Sequence, residues 1–312
     1  MQVKIAVLDD YQGVALELAD WSAVAQRAQV DVFNDHLADA DAVVSRLLAY
    51  DIVCVMRERT PLTAGIIGRL PNLKLIASTG PRNASIDLQA AAARGIKVAH
   101  TGYFGSPTVE LTWALILGSA RHLTAEAAAL RGGGWQHTIG ADLSGQTLGI
   151  LGLGNLGSKV AQVAAAFGMK VIAWSQNLTA EKCAAAGAAL VSKDDLLRQA
   201  DFVSIHLVLS ERTRGLIGAR ELSLMKPGAR LINTSRGPIV VEADLIEALN
   251  SGKIAGAAVD VFDTEPLPAD HPYRKLANLL ATPHIGYVSR KLYERFYRDT
   301  VSNILAWLDT RS

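Results

Sequence analysis

The chain has 312 residues, of which half are hydrophobic and 6% aromatic, and its formal net charge is +1. This length allows one large or two medium domains, with a core that needs neither disulfides nor metals. The balanced charge gives no electrostatic reason to expect nucleic acid or an anionic membrane as a partner. The two cysteines lie far apart and no Cys/His cluster has metal-ligand spacing, so no metal site is predicted.

The first hundred residues alternate between strand-like and helix-like patterns, which predicts a small parallel sheet with helices on both faces. The chain begins with a strand rather than a signal peptide, and no apolar run reaches the length of a membrane span. We therefore expect a soluble, cytoplasmic protein. The predicted strands are residues 3–8, 30–33, 52–55, 73–77 and 98–99, and the predicted helices are residues 13–27, 64–69 and 86–94.

A long helix is predicted over residues 107–122, with Ser106 as N-cap and Pro107 in the first turn, crossing from one domain to the next. The segment that follows, residues 123–145, is rich in glycine and contains Trp135. It is either a flexible connector or an arm used in dimerisation. We favour the arm, because connections of this length usually have a function.

A second α/β alternation runs through residues 146–285 and predicts a doubly wound, dinucleotide-binding sheet. A final helix over residues 288–309 is expected to fold back over the first domain. The predicted strands of this second sheet are residues 147–151, 170–174, 202–205, 230–233, 257–261 and 279–281.

The glycines Gly152, Gly154 and Gly157 lie between the first of these strands and a helix predicted over residues 158–167. In that context they indicate a dinucleotide site: the first allows a tight turn, the second leaves room for pyrophosphate, and the third lets helix and strand pack closely. The N–H groups that open the helix, at Asn155 and Leu156, would face the phosphates. The alternative is a purely structural glycine turn.

The residue that selects the cofactor should follow the second strand of this sheet, about 20 residues beyond the glycines. Ser175 and Gln176 stand there, where an acid would accept from both adenosine ribose hydroxyls and repel a 2′-phosphate. A neutral loop permits NAD or NADP, and we favour NADP because serine can donate to a phosphate oxygen.

Three further residues follow the ends of later strands: Arg236, Glu265 and His284. Ligands of open α/β sheets bind beyond the carboxyl ends of the strands, at the edge where the glycine turn also lies. Each residue alone is a weak signal, but together they indicate a catalytic site.

With these residues in place, the chain resembles the D-isomer-specific 2-hydroxyacid dehydrogenase family, which includes glyoxylate/hydroxypyruvate reductases and D-phosphoglycerate dehydrogenases. The resemblance rests on the glycine motif and on the segments 225–228, 233–237, 264–266 and 282–286. It implies an α/β protein of two doubly wound parallel-sheet domains, with the active site in the cleft between them. Residues 101–287 would form a Rossmann NAD(P)-binding domain, and residues 1–100 with 288–312 a flavodoxin-like substrate domain.

The resemblance also implies roles for individual residues. Arg236 would hold the substrate carboxylate and polarise the keto oxygen, His284 would be the acid/base, and Glu265 would bond the other imidazole nitrogen. Asp260 would face the nicotinamide carboxamide. The remaining cofactor residues would be His206, Leu207, Thr234, Ser235 and Gly286.

The loop after residue 79 departs from the family, because Arg82 stands where many relatives carry a second glycine and Pro81 has no N–H to offer a carboxylate. We predict that Gly80, Arg82 and Arg57 contact the substrate. The alternative is that both arginines form structural ion pairs.

We therefore predict an NAD(P)-dependent oxidoreductase that interconverts a small 2-keto acid and a D-2-hydroxy acid, and a homodimer by family likeness. One alternative is a D-3-phosphoglycerate dehydrogenase. The other is a binding protein that senses dinucleotides without catalysis.

Overall fold

A computed structural model of the chain describes residues 2–310. The chain divides into two compact units: one runs up to Phe104 and includes the segment from Val288 onward, and the other is Gly105–Tyr287. The first boundary lies after Phe104 rather than after residue 100. The reason is that the Gly102 N–H donates to Asp299 at 2.8 Å, which ties residues beyond the last strand to the last helix of the same unit.

The first unit is built on one five-stranded parallel sheet. Its elements are β1 Val3–Val7, α1 Ser22–Ala25, β2 Ala28–Val32, α2 Ala40–Leu47, β3 Ile52–Val55, α3 Ala64–Gly68, β4 Leu75–Ser78, α4 Leu88–Ala93, β5 Lys97–His100 and the last helix, α12 Arg290–Asp309. The strand order is β2-β1-β3-β4-β5, which is the flavodoxin-like order. Every residue of β3 and β4 is buried, because helices cover both faces of the central strands.

Two helices of the first unit differ from prediction. The helix expected over residues 13–27 is wrong except for α1, because Gly13 has a φ of +67° and the Asp10 carboxylate holds the N–H groups of Val14 and Ala15 in a turn. The sequence analysis missed α2, although Asp39 caps it by accepting the Ala42 N–H at 2.8 Å.

The second unit is built on one seven-stranded parallel sheet. Its elements are α5 Ser106–Ala120, α6 Leu123–Arg131, β6 Thr147–Leu151, α7 Asn155–Ala166, β7 Lys170–Trp174, α8 Ala180–Ala185, β8 Ala189–Leu190, α9 Lys193–Gln199, β9 Phe202–Ile205, α10 Ala219–Leu224, β10 Arg230–Asn233, α11 Glu242–Asn250, β11 Gly256–Val259 and β12 Leu279–Ala281, with short 3-10 turns at Gly237–Ile239 and Pro272–Arg274. The order is β12-β11-β10-β9-β6-β7-β8, so the direction of winding reverses between β6 and β9. Ligands of such sheets bind at this reversal.

The prediction of two doubly wound parallel-sheet domains is confirmed. Three details of the second unit differ. Gly105 rather than Ser106 is the N-cap of α5, and within residues 2–310 no side chain caps that helix. Residues 123–131 of the predicted arm form α6, whose alanine content favours a helix although none of its side chains is buried. The two-residue strand β8 was too short to be recognised.

Candidate active site

The glycine turn after β6 is shaped by close contacts of its backbone. Gly152 has a φ of +102°, and a Cβ there would lie 2.7 Å from the carbonyl oxygen of His206. A Cβ on Gly157 would lie 2.1 Å from the carbonyl oxygen of Gly152, so the start of α7 touches the turn directly. At Gly154 a Cβ would meet no atom of the described chain within 4 Å. The turn therefore closes on the protein at its two ends and opens outward at its centre.

The helix α7 begins at this opening. Gly154 is its N-cap, and no side chain of the described residues caps the first turn, so the N–H groups that start the helix remain available. Exposed N–H groups at the start of a twelve-residue helix, beside a glycine without steric cover, suit the pyrophosphate of a dinucleotide. The residues present therefore fit the predicted cofactor.

The loop after β7 carries Ser175 and Gln176, next to the glycine turn. The Gly152 N–H donates to the carbonyl oxygen of Trp174 at 2.8 Å, which joins the turn to the end of β7. Ser175 is half-buried and Gln176 is exposed. No carboxylate occupies these two positions, so the adenosine ribose would meet a neutral loop here.

The loop after β9 lies on the other side of the reversal point. A nitrogen of His206, Nε2, lies 2.9 Å from the hydroxyl of the fully buried Ser204. Burial lowers the pKa of His206 to about 4, so its imidazole is neutral at pH 7. The Ser235 hydroxyl donates to the carbonyl oxygen of Leu207, which ties this loop to the one after β10.

The loop after β10 holds Arg236 through the buried side chain of Asn233. The Asn233 oxygen accepts the Ser235 N–H at 3.0 Å and its amide donates to the Arg236 carbonyl at 2.9 Å. The next residue must be glycine, because a Cβ on Gly237 would lie 2.1 Å from the carbonyl carbon of Phe262. The guanidinium of Arg236 donates to the carbonyl of Ser235 at 2.8 Å.

The loops after β11 and β12 bring Glu265 and His284 together. Oε2 of Glu265 lies 2.5 Å from Nδ1 of His284, and Oε1 accepts the Phe262 N–H at 2.9 Å. Burial alone would raise the pKa of Glu265. The hydrogen bond and charge of His284, the Phe262 N–H and the charge of Arg236 together bring that pKa below its usual value. Glu265 is therefore an ionised partner for the imidazole at neutral pH, and it lies within the electrostatic influence of Arg236.

Asp260 directly follows β11 and is buried. It binds residues 282–286, which we call the His284 loop. Its Oδ1 accepts the Thr282 hydroxyl at 2.6 Å and the Ile285 N–H at 2.8 Å, and its Oδ2 accepts the Gly286 N–H at 2.7 Å. Both oxygens are thus already engaged, although the resemblance implies a nicotinamide contact for this side chain.

Two threonines of α5, which the sequence analysis did not identify, also reach these loops. The Thr108 hydroxyl donates to the Gly286 carbonyl at 3.1 Å, and the Thr112 hydroxyl lies 2.9 Å from that of Thr234. Their spacing of four residues on one helix face was the available signal. That spacing does not identify a site by itself, because the sequence does not show which loops pack against that face of the helix.

The three predicted substrate residues lie in the first unit, after β3 and β4. Arg57 lies over Gly80, and its guanidinium donates to the carbonyls of Thr79 at 3.1 Å and Arg82 at 3.3 Å. It also lies 3.6 Å from the Glu58 carboxylate, so Arg57 makes the structural contacts of the alternative interpretation.

The loop that contains Gly80 has fewer free N–H groups for a substrate carboxylate than the resemblance implies, because the Gly80 N–H donates to the Thr101 hydroxyl at 2.7 Å. Arg82 is exposed, and within residues 2–310 no hydrogen bond or ion pair engages its guanidinium. A substrate carboxylate that met this loop would therefore meet Arg82.

Residues 2–310 contain no cluster of three or more His, Cys, Asp or Glu side chains that could hold a metal ion. Over the same residues, no helix has both the length and the apolar character required to span a membrane.

Comparison with known proteins agrees with this geometry. Residues 113–286, more than half of the chain, match the family described as D-isomer specific 2-hydroxyacid dehydrogenase, NAD binding domain. The chain is 39% identical to glyoxylate reductase of Aeropyrum pernix over 78% of this chain and 75% of that protein. It is 37% identical to hydroxypyruvate reductase of Thermotoga maritima over 89% and 91%.

A solved structure has the same fold. The crystal structure of a phosphoglycerate oxidoreductase from Vibrio cholerae superposes with a TM-score of 0.94 at 35% identity, covering 99% of this chain and 100% of that one.

Proposed function

Because the chain belongs to the D-isomer specific 2-hydroxyacid dehydrogenase family, we propose that its substrates are small 2-keto acids such as glyoxylate and hydroxypyruvate. The chain is an NAD(P)-dependent oxidoreductase of 2-keto and D-2-hydroxy acids. The observation that carries the proposal is the hydrogen-bonded pair of Glu265 and His284, 2.5 Å apart, with the charge of Arg236 acting on Glu265. The relatives from Aeropyrum pernix and Thermotoga maritima are named as reductases of these two small acids, which supports the substrate.

Arg236 binds the substrate carboxylate in this proposal, since a planar guanidinium matches a carboxylate and polarises the adjacent carbonyl. The bond from His284 Nδ1 to Glu265 leaves Nε2 to exchange a proton with the carbonyl oxygen. Glu265 stabilises the charged imidazolium that serves as the proton donor. When bound, NAD(P)H supplies the hydride. In the reverse direction, His284 takes the hydroxyl proton back.

The cofactor is held by residues on both sides of the reversal point. Gly152, Gly154, Asn155, Leu156 and Gly157 take the pyrophosphate, and Ser175 and Gln176 take the adenosine ribose. The neutral loop accepts NADP as well as NAD, and NADP is the favoured form, because a serine hydroxyl can donate to the 2′-phosphate and no carboxylate repels it. The nicotinamide end is lined by His206, Leu207, Thr234, Ser235, Asp260 and Gly286.

A D-3-phosphoglycerate substrate is the second candidate. The exposed guanidinium of Arg82 favours it, because an exposed cation in the loop after β4 suits a substrate with a second anionic group. Gly80, Arg82 and Arg57 are the proposed substrate residues of the first unit, with Arg57 shaping the loop through the carbonyls that it binds.

A homodimer is also proposed, formed through α6 and the segment that follows it. Leu130, Trp135 and Ile139 are 60%, 73% and 96% exposed. Large apolar side chains exposed along one segment favour a protein partner. The segment has a defined shape, since the Glu126 carboxylate accepts the N–H and hydroxyl of Thr138 at 2.7 and 2.6 Å.

A cytoplasmic location is supported by two buried, unpaired cysteines.

The test is a substrate panel followed at the absorbance of the reduced nicotinamide. Glyoxylate and hydroxypyruvate are each supplied with NADH and NADPH, and D-3-phosphoglycerate with NAD and NADP. We expect turnover of the keto acids with a higher kcat/KM than that for the phosphorylated acid. A preference for D-3-phosphoglycerate would establish the second candidate instead. Tight NAD(P)H binding without turnover of any acid would indicate a dinucleotide-sensing protein.

A further inference from the structure

The backbone of the His284 loop is held at several points by one carboxylate, that of Asp260. The Thr282 hydroxyl precedes His284, and the N–H groups of Ile285 and Gly286 follow it, so the three bonds enclose His284 on both sides. All three donor–acceptor distances lie between 2.6 and 2.8 Å. Burial raises the pKa of the Asp260 carboxyl, and these three hydrogen bonds to its oxygens counter that effect.

His284 needs such support because its backbone is in the left-handed region. Its φ is +52°, which residues other than glycine rarely adopt. A residue in this conformation persists only where the surroundings determine it, and such residues concentrate at functional sites. The Thr282 carbonyl accepts the His284 N–H at 2.9 Å, which completes a tight turn around Pro283.

The fit between the carboxylate and the loop is close. Asp260 is 1% exposed, and a Cβ on Gly286 would lie 3.0 Å from its Oδ2. The Thr108 hydroxyl donates to the Gly286 carbonyl from the other side, so the end of the loop is fixed at both its N–H and its carbonyl. Two consecutive N–H groups that converge on one carboxylate form an anion-binding concavity, here filled by the protein itself.

We infer that Asp260 is a positioning residue that holds His284 in its left-handed conformation and so aims the imidazole at Glu265 and the substrate carbonyl. The inference rests on the proposed function for the role of His284. It assigns to Asp260 a function through the loop backbone, in addition to or in place of a contact with the nicotinamide carboxamide.

The test compares Asp260→Asn with a pair of variants at Thr282. The amide of asparagine cannot accept at its nitrogen, so at least one loop bond is lost. We expect kcat for glyoxylate to fall by a factor of 30 or more, while the KM and the dissociation constant for NADPH, measured by fluorescence, change less than threefold. Thr282→Val removes one donor and should lower kcat three- to tenfold, and Thr282→Ser keeps the hydroxyl and should restore it.

A double variant separates the two roles of Asp260. Residues that act through one network are not additive, so Asp260→Asn with Thr282→Val should be no slower than Asp260→Asn alone. Asp263→Asn, the same chemical change in the same loop but without a bond to the His284 loop, is the matched control and should keep kcat within twofold. Additive losses, or a tenfold weaker NADPH affinity with unchanged kcat at saturation, would overturn the inference.

A second readout does not depend on activity. Hydrogen exchange of a peptide covering residues 279–288 should be faster in Asp260→Asn than in the wild type, because the Ile285 or the Gly286 amide loses its acceptor. Unchanged exchange would also overturn the inference. If the wild type reduced no 2-keto acid while this exchange difference appeared, the proposed substrate would fail and the support of the loop by Asp260 would stand.

Discussion

Glu265 and His284 are joined by a contact of 2.5 Å between Oε2 and Nδ1, and the other oxygen of Glu265 is used by the Phe262 N–H. The Phe262 N–H therefore holds the Glu265 carboxylate in the position from which it orients the imidazole. Because the pKa of Glu265 lies below its usual value, the pair keeps its negative partner throughout the neutral range. In the proposed mechanism, Nε2 of His284 is the atom that exchanges the proton with the substrate.

Loss of this pair should slow the reaction without removing the cofactor site. We expect His284→Ala to lower kcat by about 10²- to 10⁴-fold and Glu265→Gln by about tenfold or more, since general acid–base catalysis contributes on that scale. Steady-state kinetics with glyoxylate measure both. The matched control is Glu242→Gln, which breaks a second Glu–His pair, 2.9 Å from His271 and outside the site. Equal losses in Glu242→Gln and Glu265→Gln would contradict the assignment.

The two glycines Gly154 and Gly157 should respond differently to alanine. A Cβ on Gly157 would overlap the Gly152 carbonyl, so Gly157→Ala should destabilise the fold by about 1–3 kcal/mol, the usual cost of overpacking. Gly154 has a φ of −88°, and a Cβ there would meet no atom of the described residues within 4 Å. Gly154→Ala should therefore keep the urea midpoint but weaken NADPH binding about tenfold or more. Equal affinity of Gly154→Ala and wild type would exclude the pyrophosphate from this turn.

Cofactor choice should depend on Ser175. An aspartate there would accept from the two ribose hydroxyls and repel a 2′-phosphate, so Ser175→Asp should shift the ratio of kcat/KM with NADH to that with NADPH at least about tenfold toward NADH. The matched control is Ser223→Asp, an exposed position on α10. A ratio that changes equally in both variants, or in neither, would place the adenosine ribose elsewhere.

Stability should fall between pH 6.5 and pH 4 because of His206. The unfolded histidine has a pKa of about 6.5 and the folded one a pKa of about 4, so the unfolded chain binds more protons in this window. Unfolding is therefore favoured as the pH drops, and His206 accounts for a loss of about 2 kcal/mol. Urea unfolding at pH 7 and pH 5 measures it. His206→Gln should reduce the pH dependence, and an unchanged slope would contradict the burial argument.

The exposed arm should control the oligomeric state. Ile139→Lys and Trp135→Lys each place a charge in the proposed interface, and desolvating an unpaired charge there is costly. Sedimentation velocity should show monomers for these variants and dimers for the wild type. Leu88→Lys, at a leucine that is 52% exposed on α4, is the control and should remain dimeric. A monomeric wild type would refute the proposal.

The sequence by itself determined the two parallel-sheet domains, the glycine turn and the candidate residues Arg236, Glu265 and His284. These features depend on local patterns: buried strands appear as apolar runs, and their polar side chains appear just after the strand ends. Helices α1 and α2 show the limit of such patterns. The Asp10 carboxylate binds the Val14 N–H and holds the chain before α1 in a turn, so the helix predicted there does not form. Helix α2 is short and was missed, although Asp39 caps it.

Only the tertiary structure decided how His284 is held. The three bonds from Asp260 join residues 22, 25 and 26 positions apart, and the bond from Thr108 to Gly286 joins residues 178 positions apart. The same holds for Arg57, whose guanidinium is engaged by carbonyls of another loop. Such contacts arise from the order of the strands in each sheet, which brings loops that are distant in sequence to one edge. The periodicity of the sequence does not predict that order.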